Sequence, residues 1–419
     1  MNGNHEPIDT YRKRLTRLRA QVRDGIPHIR MRLTTPLFNA TKGQCREMSI
    51  RVYRRETPGF VFGEDYDEYF HGMRPEASEA IFAGTMPAIN GRQFEYRDEQ
   101  AEAGRTYAYW VSTDQGDTPI GPIAIKLRDP RVWWPYAVVR ERMQALAARH
   151  PEMVSCQVYG HSVRGTEIAG ITVGRGPRAL ALVGTLHAGE SGPELIVPAL
   201  ERLADEQPEL LAAARVAVLP SVNLDERESL VDGVPWYLRT NANGVDLNRN
   251  FDADWDEVDL MYGAMTDDPT SVTYRGARPA SEPETQAVVH FVDEVQPEAV
   301  FSYHWLASLT WIGAMPAAAG LADPAYMERC LRVLTPYARG FLRDPTAKAV
   351  VSTIGACSGS LPAWAYRRHG IPGFDMEGNS RDADMLAATK DHTTPGLVAD
   401  CSRRHHDGIL ATLKAMAGA

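Results

Sequence analysis

Two histidines and a glutamate stand where two predicted strands end. His187 and Glu190 follow the apolar run ALALVGTL, and His304 follows the run EAVFSY. An imidazole and a carboxylate three positions apart in a tight turn can face one point, and the second imidazole adds another nitrogen donor. Three such protein ligands with an open fourth position are typical of a catalytic zinc site. Because each residue type alone is common in structural roles, the prediction rests on their joint position.

Strands and helices alternate after about residue 130, and they must position these side chains. The predicted elements are a helix at 140–150, a strand at 179–186, a helix at 193–204, a strand at 216–222, a helix at 284–295 and a strand at 299–304. Such alternation predicts an α/β fold with a parallel or mixed sheet and flanking helices. Ligands of open α/β sheets bind beyond the carboxyl ends of the strands, where both histidines are predicted to lie.

Two of these helices begin with a serine placed three residues before a glutamate. The pairs are Ser191 with Glu194 and Ser281 with Glu284. In a capping box of this kind, the serine oxygen and the glutamate carboxylate accept hydrogen bonds from backbone N–H groups at the helix start. We therefore predict that both glutamates cap their own helices.

Further polar residues cluster in the segment RTNANGVDLNRNF at 239–251. Together with HAGE at 187–190, YRG…SEPET at 274–285 and GIPGFDMEG at 370–378, this segment resembles the zinc carboxypeptidase family, peptidase family M14. The resemblance runs in order from about Trp134 to the C-terminus. It implies a mixed eight-stranded sheet flanked by helices, one Zn²⁺ per chain and removal of C-terminal amino acids.

The positions that match the family's functional residues carry suitable side chains. The implied roles are metal ligation by His187, Glu190 and His304, proton transfer by Glu377, polarisation of the scissile carbonyl by Arg239, binding of the substrate's terminal carboxylate by Asn248 and Arg249, and orientation of the first metal-binding histidine by Asp246.

The chemistry of these side chains agrees with the implied roles. Zinc lowers the pKa of a bound water toward ~7, so hydroxide can form at neutral pH. A glutamate can take the water's proton and pass it to the leaving amine, and a guanidinium can stabilise the oxygen charge that develops. Arginine binds a carboxylate through two parallel hydrogen bonds. Arg249 therefore suits a substrate with a free C-terminus.

One position departs from the family's pattern. Many members carry a tyrosine on a mobile loop before the general base, where it closes over the substrate. An ungapped alignment from Trp364 to Glu377 places Gly355 there, and no tyrosine occurs between Ala338 and Tyr366. The substrate class therefore stays open between peptides with a free C-terminus and two alternatives, N-acyl amino acids or γ-linked cell-wall peptides.

The residues before 130 follow a different pattern. We predict an N-terminal arm over 1–43 with a short basic helix at Tyr11–Arg23, then a small β-sandwich similar to a fibronectin type III domain over 44–129. The zinc carboxypeptidase-like domain follows over 130–419. A remaining alternative is a binding protein that joins this module to an inactive enzyme domain. The complete ligand set and Glu377 disfavour it.

Charge and apolar content restrict the partners and the location. A formal net charge of -9 disfavours a nucleic-acid partner, because phosphate binding needs a concentrated basic surface. No stretch has the length and apolarity of a membrane span or a signal peptide. Five cysteines without CxxC spacing favour a reducing compartment. We expect a cytoplasmic enzyme, without a membrane partner, that acts on a peptide or an N-acyl amino acid with a free carboxylate.

Overall fold

The computed structural model divides the chain into two units, one over residues 1–129 and 231–236 and one over residues 130–230 and 237–419. The described residues are 16–33, 47–57, 73–87, 92–113, 116–190, 192–231, 238–257, 265–304, 312–378 and 395–418. No helix within these ranges combines the length and the apolar character needed to cross a membrane.

The N-terminal unit consists of two antiparallel sheets whose apolar side chains share one core. Its strands are β1 (Thr16–Arg23), β2 (Ile26–Leu33), β3 (Glu47–Thr57), β4 (Ala80–Pro87), β5 (Gln93–Arg97), β6 (Arg105–Thr113) and β7 (Gly116–Leu127). The strand order is β1-β2-β5 in one sheet and β4-β3-β6-β7 in the other. Ile29 from the first sheet and Val52 and Tyr109 from the second are fully buried in the shared core.

The β1–β2 hairpin corrects the prediction of a basic helix at Tyr11–Arg23. Residues 11–15 lie outside the described part of the chain, and the rest of that segment is strand β1, paired antiparallel with β2. Asp24 and Gly25 form the turn with φ values of 51° and 74°. Two-residue hairpin loops require this left-handed conformation, and the Asp-Gly pair is therefore the local signal that the helical interpretation overlooked.

The second unit contains the predicted mixed eight-stranded sheet. Its strands are β8 (Val154–His161), β9 (Glu167–Val173), β10 (Arg178–Gly184), β11 (Ala214–Leu219), β12 (Ala299–Tyr303), β13 (Ile312–Pro316), β14 (Val350–Val351) and β15 (Gly373–Gly378). They lie in the order β14-β13-β15-β12-β10-β11-β9-β8. The four central strands, β15, β12, β10 and β11, are parallel to one another, and β9 and β13 pair antiparallel with their outer members.

Helices flank this sheet, and the three helices predicted after residue 130 are present with small shifts at their ends. They are α1 (Tyr136–Arg149), α2 (Pro193–Glu206), α3 (Pro208–Ala213), α4 (Leu224–Val231), α5 (Pro283–Val295), α6 (Pro324–Leu342), α7 (Leu361–His369) and α8 (Pro395–Ala417). Proline stands at the first or second position of α2, α3, α5, α6 and α7. There its missing N–H costs no helical hydrogen bond.

The helix starts differ from the capping-box prediction. The N-cap of α5 is Glu282, without a side-chain cap, and Glu284 binds groups outside its own helix. At α2, Ser191 lies outside the described residues, and Glu194 pairs with Arg227 of α4. Each glutamate therefore links its own helix to another part of the fold.

The central strands bring the predicted site residues to one edge of the sheet. After Arg178, β10 is apolar because neighbouring strands flank it on both sides and its two faces are covered. Its register pairs Gly184 with Tyr303 at the end of β12, and Tyr303 in turn pairs with Met376 of β15. The residues that follow in all three parallel strands, including His304 and Glu377, consequently lie side by side.

Candidate metal centre

His187, Glu190 and His304 converge in the interior, each at most 3% exposed. The Nδ1 atoms of the two histidines are 3.1 Å apart. The Glu190 carboxylate has Oε1 at 2.9 Å from Nδ1 of His187 and Oε2 at 2.7 Å from Nδ1 of His304. Within the described part of the chain, these three residues form the group whose donor atoms could hold one metal ion.

A tight turn after β10 places the first two ligands. The backbone N–H of Glu190 donates to the carbonyl of His187 over 3.2 Å. Thr185, just after the strand, has φ 50°, a conformation that is uncommon for a β-branched residue. Its carbonyl accepts from Asn223 N–H (3.0 Å), and its hydroxyl donates to Ser221 (2.8 Å). Contacts with the segment after β11 thus hold the turn.

The third ligand is positioned by the neighbouring strand. His304 directly follows β12, and its backbone N–H donates to the carbonyl of Met376 in β15 over 3.1 Å. This bond continues the β12–β15 pairing by one residue and fixes the point at which the imidazole leaves the sheet.

Each histidine has a buried carboxylate behind it. His187 Nε2 lies 3.1 Å from Oδ1 of Asp246, and His304 Nε2 lies 3.2 Å from Oδ1 of Asp375. Ser302 Oγ lies 3.0 Å from the same His304 nitrogen. A carboxylate on Nε2 fixes the proton there and leaves the Nδ1 lone pair for a metal. Both rings therefore present Nδ1 to the same point.

The buried charges favour a cation at this point. Burial by itself raises the pKa of Glu190, but the imidazoles of His187 and His304 outweigh burial and lower it. Burial lowers the pKa of His304, yet Glu190 and then Asp375 raise it well above its ordinary value. Ionised carboxylates buried at this density require a compensating positive charge. A divalent metal held by two imidazoles and one carboxylate supplies it, and this donor set suits zinc.

Glu377 lies beside the metal centre, as its place in β15 requires. It is half-buried, and the register of β15 pairs it with Gly313 of β13. Side chains two residues apart in a strand point to the same face. Because Asp375 reaches His304 from that face, the Glu377 side chain projects on the side of the sheet where the metal ligands lie.

The segment at 239–251 contributes further charged residues near the metal centre. Arg239 Nε donates to Oδ2 of Asp246 over 2.8 Å, and Arg249 is 7% exposed with Nη1 donating to the Asn248 carbonyl over 2.8 Å. Burial raises the pKa of Asp246, but Arg239 and then His187 lower it overall. The structure thus brings both arginines next to the charged groups of the centre.

The Asn248 side chain forms hydrogen bonds with other residues of the protein. Its Nδ2 donates to Oδ2 of Asp375 over 2.9 Å and lies 3.5 Å from His304 Nε2. Its Oδ1 accepts from the backbone N–H of Leu361 over 3.0 Å. The contact between this side chain and a substrate carboxylate therefore stays a prediction. Its hydrogen bond to Asp375, the carboxylate behind His304, is present in the structure.

Sequence reasoning overlooked Asp375, although a signal for it exists. Asp375 stands two residues before Glu377 in the short strand GFDMEG, so the two carboxylates share a face. A polar residue on the buried face of a central strand needs a partner. Which partner it has depends on the pairing of β12 with β15, and that pairing is not visible in the local sequence.

Gly355 occupies a place where a larger side chain does not fit. Its φ is 76°, and a Cβ atom added there would lie 2.9 Å from Cα of Ala318 and 3.0 Å from the carbonyl oxygen of Pro316. The ungapped alignment places the family's loop tyrosine at this residue. With this backbone, no side chain at residue 355 can close over a substrate.

Comparison with known proteins agrees with the geometry. The family model described as zinc carboxypeptidase, peptidase family M14, matches residues 139–394. The chain belongs to this family. As a zinc carboxypeptidase family member it shares its fold with carboxypeptidase A from Helicoverpa armigera, with a TM-score of 0.57, 17% identity and coverage of 90% of this chain and 98% of that one. Thrombin-activatable fibrinolysis inhibitor also has this fold, with a TM-score of 0.56, 18% identity and coverage of 69% and 80%.

Curated relatives match parts of this family member. Mast cell carboxypeptidase A of Rattus norvegicus is 28% identical over 251 residues, which are 53% of this chain and 58% of the relative. Murein peptide amidase A of Escherichia coli K12 is 45% identical over 76 residues, which are 17% of this chain and 31% of the relative. The chain thus matches less than two thirds of the length of either relative.

Proposed function

We propose that this chain is a zinc-dependent metallocarboxypeptidase that hydrolyses the amide bond next to a free carboxylate and releases a C-terminal amino acid. The observation that carries the proposal is the buried set of His187, Glu190 and His304 with Glu377 on the adjoining strand. This set combines three metal ligands with a half-buried carboxylate that can move a proton.

The side chains of the site then have distinct tasks. Zinc held by His187, Glu190 and His304 would supply an activated water with a pKa of about 7. The Glu377 carboxylate would accept a proton and donate it to the departing nitrogen. Arg239, oriented by its bond to Asp246, stabilises the charge that develops on the carbonyl oxygen.

Arg249 is the residue that we propose to recognise the substrate's terminal carboxylate. It is buried and lies beside Asn248, which donates to Asp375 behind His304. A substrate carboxylate bound by Arg249 would therefore lie near the metal. A guanidinium can bind a carboxylate through two parallel hydrogen bonds. Amidation of the substrate removes the charge, and we expect this to cost roughly 2–5 kcal/mol of binding free energy.

The test is a panel of peptides with free and amidated C-termini. Purified protein with one equivalent of zinc should release single amino acids from the free peptides and leave the amides intact. Arg249→Ala should reduce this preference by at least ~30-fold, the equivalent of about 2 kcal/mol. Arg249→Lys is the matched control, because it keeps a charge but not the paired geometry. Equal cleavage of free and amidated peptides by the wild-type protein would refute the carboxypeptidase assignment.

A second candidate is an amidase of γ-linked cell-wall peptides. The 45% identity with murein peptide amidase A over 76 residues favours it, and it needs the same metal centre. A matched pair of substrates with an α- or a γ-linked glutamyl residue before the same C-terminal residue separates the two functions. Faster cleavage of the γ-linked member, or of an N-acyl amino acid, would leave the zinc hydrolase assignment intact. It would replace α-linked peptides as the proposed substrate class. The cytoplasmic location stays a prediction.

A further inference from the structure

A buried arginine holds the turn that carries the first two metal ligands. Arg227 of α4 is 1% exposed. Its Nη1 donates to the carbonyl of Ala188 over 3.1 Å and to the carbonyl of Glu190 over 2.7 Å. These carbonyls belong to the turn between His187 and Glu190, so one guanidinium nitrogen ties two points of the metal-binding segment.

The guanidinium is itself held from two further sides. Nη2 of Arg227 donates to Oε1 of Glu194, which is 1% exposed and lies in the first turn of α2. The same carboxylate oxygen accepts from the backbone N–H of Trp134 over 3.0 Å. The guanidinium carbon lies 4.1 Å from the centre of the Trp133 ring, a distance at which the cation and the aromatic face attract each other. The arginine is therefore locked in place.

Apart from the bonds to Arg227, the backbone of residues 188–190 has two hydrogen bonds within the described structure. Gly189 N–H donates to the carbonyl of Leu238 over 2.8 Å, and Glu190 N–H donates to His187 within the turn. Displacement of the Glu190 carbonyl would move its carboxylate, which must reach both imidazoles. Metal affinity depends on the placement of ligands by such supporting contacts.

We propose that Arg227 is a positioning residue of the metal centre, which acts through the backbone carbonyls of Ala188 and Glu190. It touches neither metal nor substrate. The inference rests on the metal site of the proposed function and is independent of the substrate. Arginine suits this place because its planar fork of five N–H donors serves two carbonyls and a carboxylate together, whereas lysine offers one compact ammonium.

A buried ion pair could also serve stability alone, and the variants must separate the two roles. Arg227→Met alone would leave Glu194 as a buried charge without its partner, which is strongly destabilising. We therefore compare Glu194→Gln with the double variant Glu194→Gln and Arg227→Met. Glutamine keeps an oxygen that can accept from both Trp134 and Arg227, and in Glu194→Gln the guanidinium still contacts two carbonyls and the Trp133 ring. The two proteins differ only at residue 227.

The measurement is the zinc dissociation constant of the full chain, obtained by competition with a chromophoric chelator. We expect the double variant to bind zinc ~10- to 100-fold more weakly than Glu194→Gln, while both retain the circular dichroism spectrum of the wild type. Arg227→Lys serves as the test variant if the double variant does not fold. We expect it to bind zinc at least ~10-fold more weakly than the wild type. As a control, Arg54→Met with Asp98→Asn removes a partly buried ion pair of the N-terminal unit and should leave zinc affinity within twofold.

The outcomes distinguish this inference from the proposed function. Zinc affinity within twofold between Glu194→Gln and the folded double variant, or between wild type and folded Arg227→Lys, would overturn the positioning role. If the Arg227 variants lose zinc as expected but the wild-type protein cleaves no free peptide, the proposed function fails and the positioning role stands. A wild-type protein that binds no zinc would overturn both.

Discussion

Replacement of Asp375 by asparagine should weaken zinc binding without unfolding the protein. Asp375 accepts from His304 through Oδ1 at 3.2 Å and from Asn248 Nδ2 through Oδ2 at 2.9 Å. Asparagine has nearly the same shape but only one acceptor. Whichever way it turns, its NH₂ group faces a donor, either the His304 N–H or the Asn248 NH₂. Asn248 cannot turn freely to compensate, because its Oδ1 accepts from the Leu361 N–H.

The size of the effect follows from this mismatch. A hydrogen bond to a charged group contributes about 1.5–3 kcal/mol, and ~1.4 kcal/mol corresponds to a tenfold change in an equilibrium constant. Loss of the contact behind a metal-binding histidine typically lowers metal affinity ~10- to 100-fold. The two estimates agree, so we expect the zinc dissociation constant of Asp375→Asn to rise by ~10- to 100-fold.

Chelator competition measures this dissociation constant, and thermal unfolding of the metal-free protein checks that the fold persists. Ser302→Ala is the matched control, since the hydroxyl lies 3.0 Å from the same His304 nitrogen. We expect only a small effect from it, because a carboxylate accepts a hydrogen bond more strongly than a hydroxyl. A larger loss of zinc in Ser302→Ala than in Asp375→Asn would refute the reasoning, since the serine would then orient the ring.

Three further predictions concern the chemistry and the stability of the chain. Glu377→Gln should keep its zinc and fold but lose at least ~100-fold in kcat, measured with a free peptide; near-normal turnover would mean that another group moves the proton. His304→Ala should fall well below one zinc per chain by atomic absorption and lose hydrolysis, whereas full occupancy would remove this histidine from the ligand set. Asp98 is 1% exposed, and both of its carboxylate oxygens accept from Nη1 of Arg54. Asp98→Ala should cost about 3–5 kcal/mol of unfolding free energy. Glu56→Ala, at the exposed pair with Arg105, is its control in urea unfolding and should cost less than about 1 kcal/mol.

Three helices and three strands of the second unit could be predicted because their signals are local. The continuous apolar run of β10 and the helical spacing of α5 are properties of ten or so neighbouring residues, and both elements occur within a few residues of the predicted bounds. The wrong prediction at Tyr11–Arg23 has the same origin. Leu18 and Val22 are four residues apart, which fits one face of a helix, but with Ala20 between them they also fit one face of a strand. The segment forms a strand because it pairs antiparallel with β2.

The capping-box prediction at α5 was wrong for a related physical reason. A glutamate three residues after a serine can satisfy its own helix start, but Glu284 has stronger partners across the fold, among them the backbone N–H of Val163 and the side chain of Asn241. A charged group buried to this degree takes whichever donors surround it. Those donors come from segments more than forty residues away, which no local motif reveals.

The sequence by itself determined the residue types of the metal centre and their attachment to strand ends. His187 and Glu190 are joined by one turn, and the family resemblance selected His304 as their partner. Only the tertiary structure decided what stands behind these ligands. Asp375 meets His304 because β15 lies beside β12, and Arg227 of α4 meets the turn because its guanidinium pairs with Glu194 at the start of α2. Such contacts depend on the order of strands and the packing of helices, and these are set by burial summed over the whole unit and not by any short stretch of sequence.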